Sequence, residues 1–382
     1  MVKSLAETGG RALSAPVELA LLEYSPTMLR VARVRTQQEF DALEPAWTDL
    51  LGSSAIPSVF LSWNWVKCWL DEYGSENEAI ILTAHRADGQ LCGIAPLVVS
   101  RDSSWHRLRR MTIIGQQPTY GEYLDVISRR GDEAVVATAF VDQLCGQLSA
   151  TWDVLVMQRM PAQSVPLPHL RAAFSAHRAA CRVEPTAPSP TTRLPADFDE
   201  LLASRSGNFR QQLRTAVNRL KRLGDAEVLV APSDVPVDRA FDEMLRLHHL
   251  RWAVSGAFSS DDRVRFYRAL AHRLARSDEL FLALLTINGQ TIAARYDFVF
   301  ADKMWSVQGG WDPQYEFVGP GTLMTQEAIR WAIEHGLTEY DFLAGMHDYK
   351  LRWANDQRGL VALTVANPRT VRGRAYGRMR KL

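Results

Sequence analysis

Apolar residues recur at helical spacing between Asn208 and Leu223, where Phe209, Leu213, Ala216, Val217, Leu220 and Leu223 form one stripe, so the pattern predicts an amphipathic helix. Asp238 to Trp252 repeats it with Phe241, Leu245, His248 and Trp252, and a third helix is predicted over about Val264 to Leu274. The period then shortens. Leu280 to Ile287, Thr291 to Phe300 and Lys303 to Gly309 read as three strands, joined by Asn288-Gly289 and Ala301-Asp302, which suit tight antiparallel hairpins. A Gly319-Pro320-Gly321 loop, a helix from about Thr322 to Glu334, a stop at Gly336 and a strand from Glu339 to Leu343 follow.

The first half alternates differently. A helix around Phe60 to Tyr73 precedes an Ile80-Ile81-Leu82 strand, a turn at Asp88-Gly89 and a return strand from Gly93 to Val99. Met111 to Ile114, Tyr123 to Val126 and Val154 to Met157 read as further strands, with a helix from Glu133 to Leu148. Trp63, Trp65 and Trp69 fall within the first helix and read as core anchors. Pro185, Pro188, Pro190 and Pro195 remove backbone donors and disfavour helix, which marks a junction. The expected fold class is α+β (mixed α/β), organised as a flexible tail 1–28, a unit 29–190, a unit 191–367 and a basic tail 368–382.

Composition narrows the function classes. The 382 residues carry a formal charge of +1, with 47% hydrophobic and 23% charged residues, so nothing draws the whole chain to DNA or to an anionic membrane. Cys68, Cys92, Cys145 and Cys181 lie far apart, with no CxxC pair and no histidine at zinc-ligand spacing, so no metal is expected. No run is long enough to span a bilayer, and Glu7, Gly9, Gly10 and Pro16 interrupt any signal-peptide core, so the expected compartment is cytoplasmic. Beyond Pro368 the chain has Arg369, Arg372, Arg374, Arg378, Arg380 and Lys381 without an acid, a solvated end or a peripheral contact for anionic lipid.

Candidate chemistry centres on the glycine loop. Gly319 and Gly321 let backbone approach a ligand, and the following helix turns unpaired N–H groups and its positive dipole end toward that space, an arrangement suited to pyrophosphate. It matches neither a Walker sequence nor a dinucleotide fingerprint. Between Arg205 and Arg222 there are basic residues and no acid; Arg210 and Arg214 share a flank that reads either as a site for a phosphate-bearing acceptor or as a solvated face.

Residues 280–353 resemble the second half of the CelD/BcsL-type acetyltransferases, relatives of the GNAT superfamily. The likeness rests on Gly289-Gln290-Thr291-Ile292-Ala293-Ala294, Gln308-Gly309-Gly310-Trp311-Asp312, Gly319-Pro320-Gly321-Thr322-Leu323, Tyr340-Asp341-Phe342 and Tyr349-Lys350. Upstream, His248-His249-Leu250-Arg251-Trp252 is similar to a family motif, and Phe60-Leu61-Ser62-Trp63, Gly93-Ile94-Ala95-Pro96-Leu97, Tyr123-Leu124-Asp125 and Trp152-Asp153 extend the likeness over about 34–366. After Gly345, where the family often has acidic residues, this chain has Met346 and His347.

The resemblance implies two tandem GNAT-like units, each a mostly antiparallel sheet flanked by helices, as in Fem-type peptide-bridge ligases. It implies acetyl-CoA or another acyl-CoA as co-substrate, with Gln308, Gly309, Gly319, Pro320, Gly321 and Thr322 on the donor, and direct transfer to a hydroxyl or amine of a small-molecule or saccharide acceptor, such as an envelope precursor. Asp341, His248 and His347 are the candidate bases, Tyr349 a candidate acid and Lys350 a candidate electrostatic contact. Tyr120, Tyr123, Asp125, Arg210, Arg214 and Trp252 are candidate acceptor contacts. Two other readings stand beside this one: a Fem-like aminoacyl-tRNA-dependent transferase, the only reading with a tRNA partner, and a non-catalytic scaffold in a polysaccharide system.

Overall fold

A computed structural model describes residues 29–101, 108–252 and 256–382, with Arg101 and Trp252 described by backbone only. The predicted tail 1–28 lies outside the described residues. The strands are β1 (Arg30–Val34), β2 (Glu78–His85), β3 (Leu91–Arg101), β4 (Arg109–Ile113), β5 (Ile127–Ser128), β6 (Val154–Pro161), β7 (Ala180–Arg193), β8 (Ala226–Ala231), β9 (Leu280–Ile287), β10 (Gln290–Phe300), β11 (Lys303–Trp311), β12 (Glu339–Asp341) and β13 (Asp356–Ala366).

They form one mixed sheet in the order β1-β2-β3-β4-β6-β13-β7-β12-β11-β10-β9-β8, with β5 on β3. Pairing is antiparallel except for β4 with β6 and β11 with β12. Each parallel pair brackets a helix, Glu133–Cys145 in the first half and Pro320–Glu334 in the second, so one topology occurs twice. The chain is therefore a mixed α/β protein in which one arrangement of strands and helix occurs twice within one sheet.

The hairpins follow from local chemistry. Asn288 and Gly289 have φ of 48° and 80°, and Ala301 and Asp302 have 52° and 57°; two successive left-handed residues match the right-handed twist of the strands they join. The proline-rich segment is where the expectation fails. It forms β7, a central strand, so the predicted boundary at 190 falls inside an element. Its prolines still accept hydrogen bonds: Phe342 N–H donates to Pro190 O (3.0 Å) and Gly345 N–H to Pro188 O (3.1 Å), beyond the end of β12. Strand β13, from the last part of the chain, lies between β6 and β7 and so belongs to the first half of the sheet. The predicted flexible basic tail is a helix, Val371–Arg380, capped by Thr370 and closed onto the sheet where Gly377 meets Ala366.

The halves share an aromatic core. Phe60 packs on Trp305 (5.9 Å between ring centroids), Trp65 on Phe266 (5.0 Å) and Tyr123 on Trp305 (5.1 Å). Trp63, Trp65 and Trp69 are all buried. Truncating Trp65 to alanine removes a fully enclosed side chain, a loss of about 3–5 kcal/mol.

Candidate functional site

Strands β11 and β12 pair only from Lys303↔Glu339 to Trp305↔Asp341, and then part. A cavity of about 880 Å³ opens between them, lined by Ser306–Trp311 on one side and Phe342–Ala344 on the other. The register Tyr296↔Gln308 and Ala294↔Gly310, with Asp312 N–H donating to Ile292 O, directs the N–H groups of Gln308, Gly310 and Asp312 toward β10. Alternation turns the Gly309 N–H into the gap. Gly310 serves packing: a Cβ there would lie 2.8 Å from the His248 nitrogen, so its absence lets the helix Val237–Trp252 lie on the strand.

Gln308, Gly309, Gly319, Pro320, Gly321 and Thr322 all line this cavity. The two loop glycines differ. Gly319 is left-handed, φ 73°, and precedes the helix Pro320–Glu334. Gly321 is not among the positive-φ residues; its missing side chain makes room for Trp311, whose ring a Cβ would approach to 2.8 Å. The Arg251 guanidinium lies 3.1 Å from the centre of the same ring, and burial pulls its pKa down to about 10.

A buried network holds β10 and β11 together at the gap. Arg295 donates to Asp297 (2.6 Å), to Thr325 Oγ1 (3.1 Å) and to Ser306 Oγ, while Tyr340 OH donates to Asp297 Oδ2 (2.8 Å) and Val307 N–H to Asp297 Oδ1 (2.9 Å). Arg295 and Ser306 line the cavity. Arg295 and Asp297, the two charged residues in the apolar run Ile292 to Phe300, were the available sequence signal.

Other wall residues come from the first half. Tyr120, Thr119, Glu122 and Arg159 line the cavity. Glu122 is buried; it accepts from Arg159 (2.9 Å) and from the Ala344 N–H (2.7 Å), and burial raises its pKa. Lys350, 6% exposed, donates to Leu343 O and Ala344 O, both at 3.0 Å. Its ammonium is pushed down to about 8 by burial, against the pull of Glu122 and Asp341. His347 and Tyr349 line the wall with their rings nearly parallel, 6.2 Å apart.

The remaining predicted residues lie elsewhere. Asp341 points away from the cavity: it accepts from Tyr123 OH (2.5 Å), Ser189 OH (2.6 Å), Leu343 N–H (2.8 Å) and Arg358 (3.4 Å), so it and Tyr123 clamp the two halves. His248 is wholly buried against Phe258 and outside the cavity wall, and burial lowers its pKa to about 4. That favours the neutral imidazole. Asp125 lies in a separate hollow of about 20 Å³ with Ser54 and Ser128, where burial raises its pKa to about 7. Arg210 and Arg214 are also outside the wall; the stripe of Phe209 and Leu213 faces the core and leaves Arg214 exposed, donating to Gln211. Trp252 ends its helix, and its side chain lies outside the described residues. Sequence reading missed Glu122, Arg159, Arg263, Arg295 and Arg352.

Comparison with known proteins gives three results. Residues 207–351 match the family model described as "Acetyltransferase (GNAT) domain". No curated protein matches the sequence. Among solved structures, FemX is similar over 92% of this chain and 100% of its own, at 12% identity and a TM-score of 0.62. A conserved protein of unknown function from Bacteroides thetaiotaomicron VPI-5482 is similar over 89% and 100%, at 11% identity and 0.56. The C-terminal domain of a putative lysylphosphatidylglycerol synthetase from Agrobacterium fabrum is similar over 89% and 95%, at 11% and 0.50. At such identities the likeness shows the fold, and residues 207–351 are similar to a GNAT-type acetyltransferase domain.

Proposed function

We propose that this chain is an acyltransferase that moves an acyl group, acetyl in the first instance, directly from coenzyme A to a hydroxyl or amine acceptor. The observation that carries the reading is one cavity whose wall combines the parted strands β11 and β12, the loop Gly319–Thr322 and side chains of the first half. Coenzyme A supplies the activated thioester. The residues suit it: the positive dipole end of the helix Pro320–Glu334 and nearby Arg251 for the pyrophosphate, and the Gly309 N–H for the thioester oxygen. Glu122, its proton affinity raised by burial, is the group best suited to take the acceptor's proton. The Tyr349 phenol, exposed on the cavity wall with its pKa raised by partial desolvation there, keeps a proton to give to the leaving thiolate. Asp341 and His248 have no part in this scheme; His347, on the wall but exposed, is the other candidate base.

Acetyl-CoA offered with matched panels of sugars, amino sugars and envelope precursors tests the reading through mass shift and free thiol release. Transfer to an acceptor supports it; acetyl-CoA binding without transfer to any hydroxyl or amine counts against it.

Gly321→Val is expected to weaken coenzyme A binding at least about tenfold, since the new side chain displaces Trp311 and with it Arg251, while the melting midpoint moves by a few degrees. Calorimetry beside a thermal melt checks both parts.

The pH profile has a defined sign. The Lys350 ammonium loses its proton as pH rises through about 8, instead of its ordinary 10.5, so turnover that needs the charge falls across that range, whereas a lysine acting as base would make it rise. Between those two values the unfolded chain binds more protons at this site than the folded chain, so the lysine's unfavourable contribution to stability eases as pH rises. The fall in turnover is then not unfolding, and a melt at each pH separates the two.

A second reading, an aminoacyl-tRNA-dependent transferase of the Fem kind, draws on one observation. The exposed basic face of the helix Gly207–Leu223 adjoins the glycine loop, where Arg219 donates to Phe317 O (2.8 Å). Binding of bulk tRNA with steep salt dependence, and none of coenzyme A, would favour it.

A further inference from the structure

Arg263, in the helix Asp261–Arg276, lines the cavity beside residues of the first half. Its guanidinium sits 5.1 Å from the Tyr120 ring and donates to Gly256 O (3.0 Å), while its Nε is buried without a hydrogen-bond partner among the described residues. No described carboxylate forms an ion pair with it; its neighbour Asp262 is engaged by Ser260 and Tyr73. On the other side of Tyr120, Arg159 donates to the Tyr120 carbonyl (3.1 Å) and to Glu122. Both guanidiniums bear electrostatically on the Tyr267 hydroxyl, which donates to Thr119 O (3.0 Å). Two cations thus converge on one stretch of wall, Thr119–Glu122, with a single carboxylate between them.

An arginine half-removed from water with an unused N–H is costly unless a ligand completes it. Two planar forks, one unpaired, suit an oxyanion that takes parallel hydrogen bonds. We infer that the acceptor carries an oxyanion, phosphate or carboxylate, and that Arg263 and Arg159 hold it against Tyr120, leaving the nucleophilic hydroxyl or amine near Glu122. This rests on the transferase reading only in assigning these residues to the acceptor.

The test first titrates coenzyme A into the full chain, then inorganic phosphate and, separately, acetate into protein saturated with coenzyme A, by calorimetry. The expected result is binding of at least one anion, weakened about tenfold or more in Arg263→Gln and Arg263→Ala, with coenzyme A affinity and melting midpoint unchanged. Stronger phosphate binding points to a phosphate ester, and stronger acetate binding to a carboxylate. If neither anion binds, or binding is indifferent to both variants, the inference is overturned. Should coenzyme A itself fail to bind, the donor reading falls while the anion titration, run on the free protein, still decides this one.

Discussion

Lys350→Ala is expected to lower turnover by about ten- to a thousandfold, the range seen when one electrostatic contact leaves a site. The side chain is buried and its ammonium bonds the carbonyls of Leu343 and Ala344 from beneath, at 3.0 Å each. Those residues form the wall of the gap facing β11. Leu343 has a φ of 59°, strained for a leucine, and Gly345 a φ of 107°. The segment keeps this shape because Lys350 holds its carbonyls, Glu122 accepts the Ala344 N–H and Pro188 accepts the Gly345 N–H. Lys350→Ala releases one of these ties and removes one of the two cations, beside Arg159, that bear on Glu122. Burial already penalises the ammonium, so losing it costs little stability, and the melting midpoint should fall by only a few degrees. A purely structural lysine would leave the pH profile in place. Here the fall in turnover near pH 8 should vanish in the variant, and Lys350→Arg should not restore full activity, because a wide fork does not fit two adjacent carbonyls.

Asp341→Ala should destabilise the chain by about 3–5 kcal/mol, the cost of removing one partner from a buried charged cluster. Four donors lose their acceptor at once: Tyr123 from the first half, Ser189 on β7, the Leu343 N–H and Arg358 on β13. Arg358 retains Glu339, but the two hydroxyls are left buried without their partner. Since the cluster joins strands of both halves, denaturant unfolding should shift as a single transition. A variant with wild-type stability and lost turnover would return Asp341 to the chemistry.

The second half was legible because its signals are local. Two hairpin turns with successive left-handed residues, an apolar stripe at helical spacing and a glycine loop before a helix each need only their own neighbours. Strand β13 and the proline-rich β7 were not legible, because what makes them strands is each other: they pair with residues more than 150 positions away. Asp341 shows where alternation stops informing. The period of two says that it points opposite to Phe342, but not that the Phe342 side faces the cavity. Glu122 and Arg263 carry no local pattern at all. Only the folded arrangement brings them to one wall.

The most direct test of the central claim is calorimetric titration of coenzyme A into the full chain, with Gly321→Val in parallel. The account predicts one site per chain with a Kd between about 1 µM and 1 mM, the range of ordinary enzyme co-substrates, and a clear loss in the variant. No coenzyme A binding at millimolar concentration, with the wild-type fold intact, would contradict it.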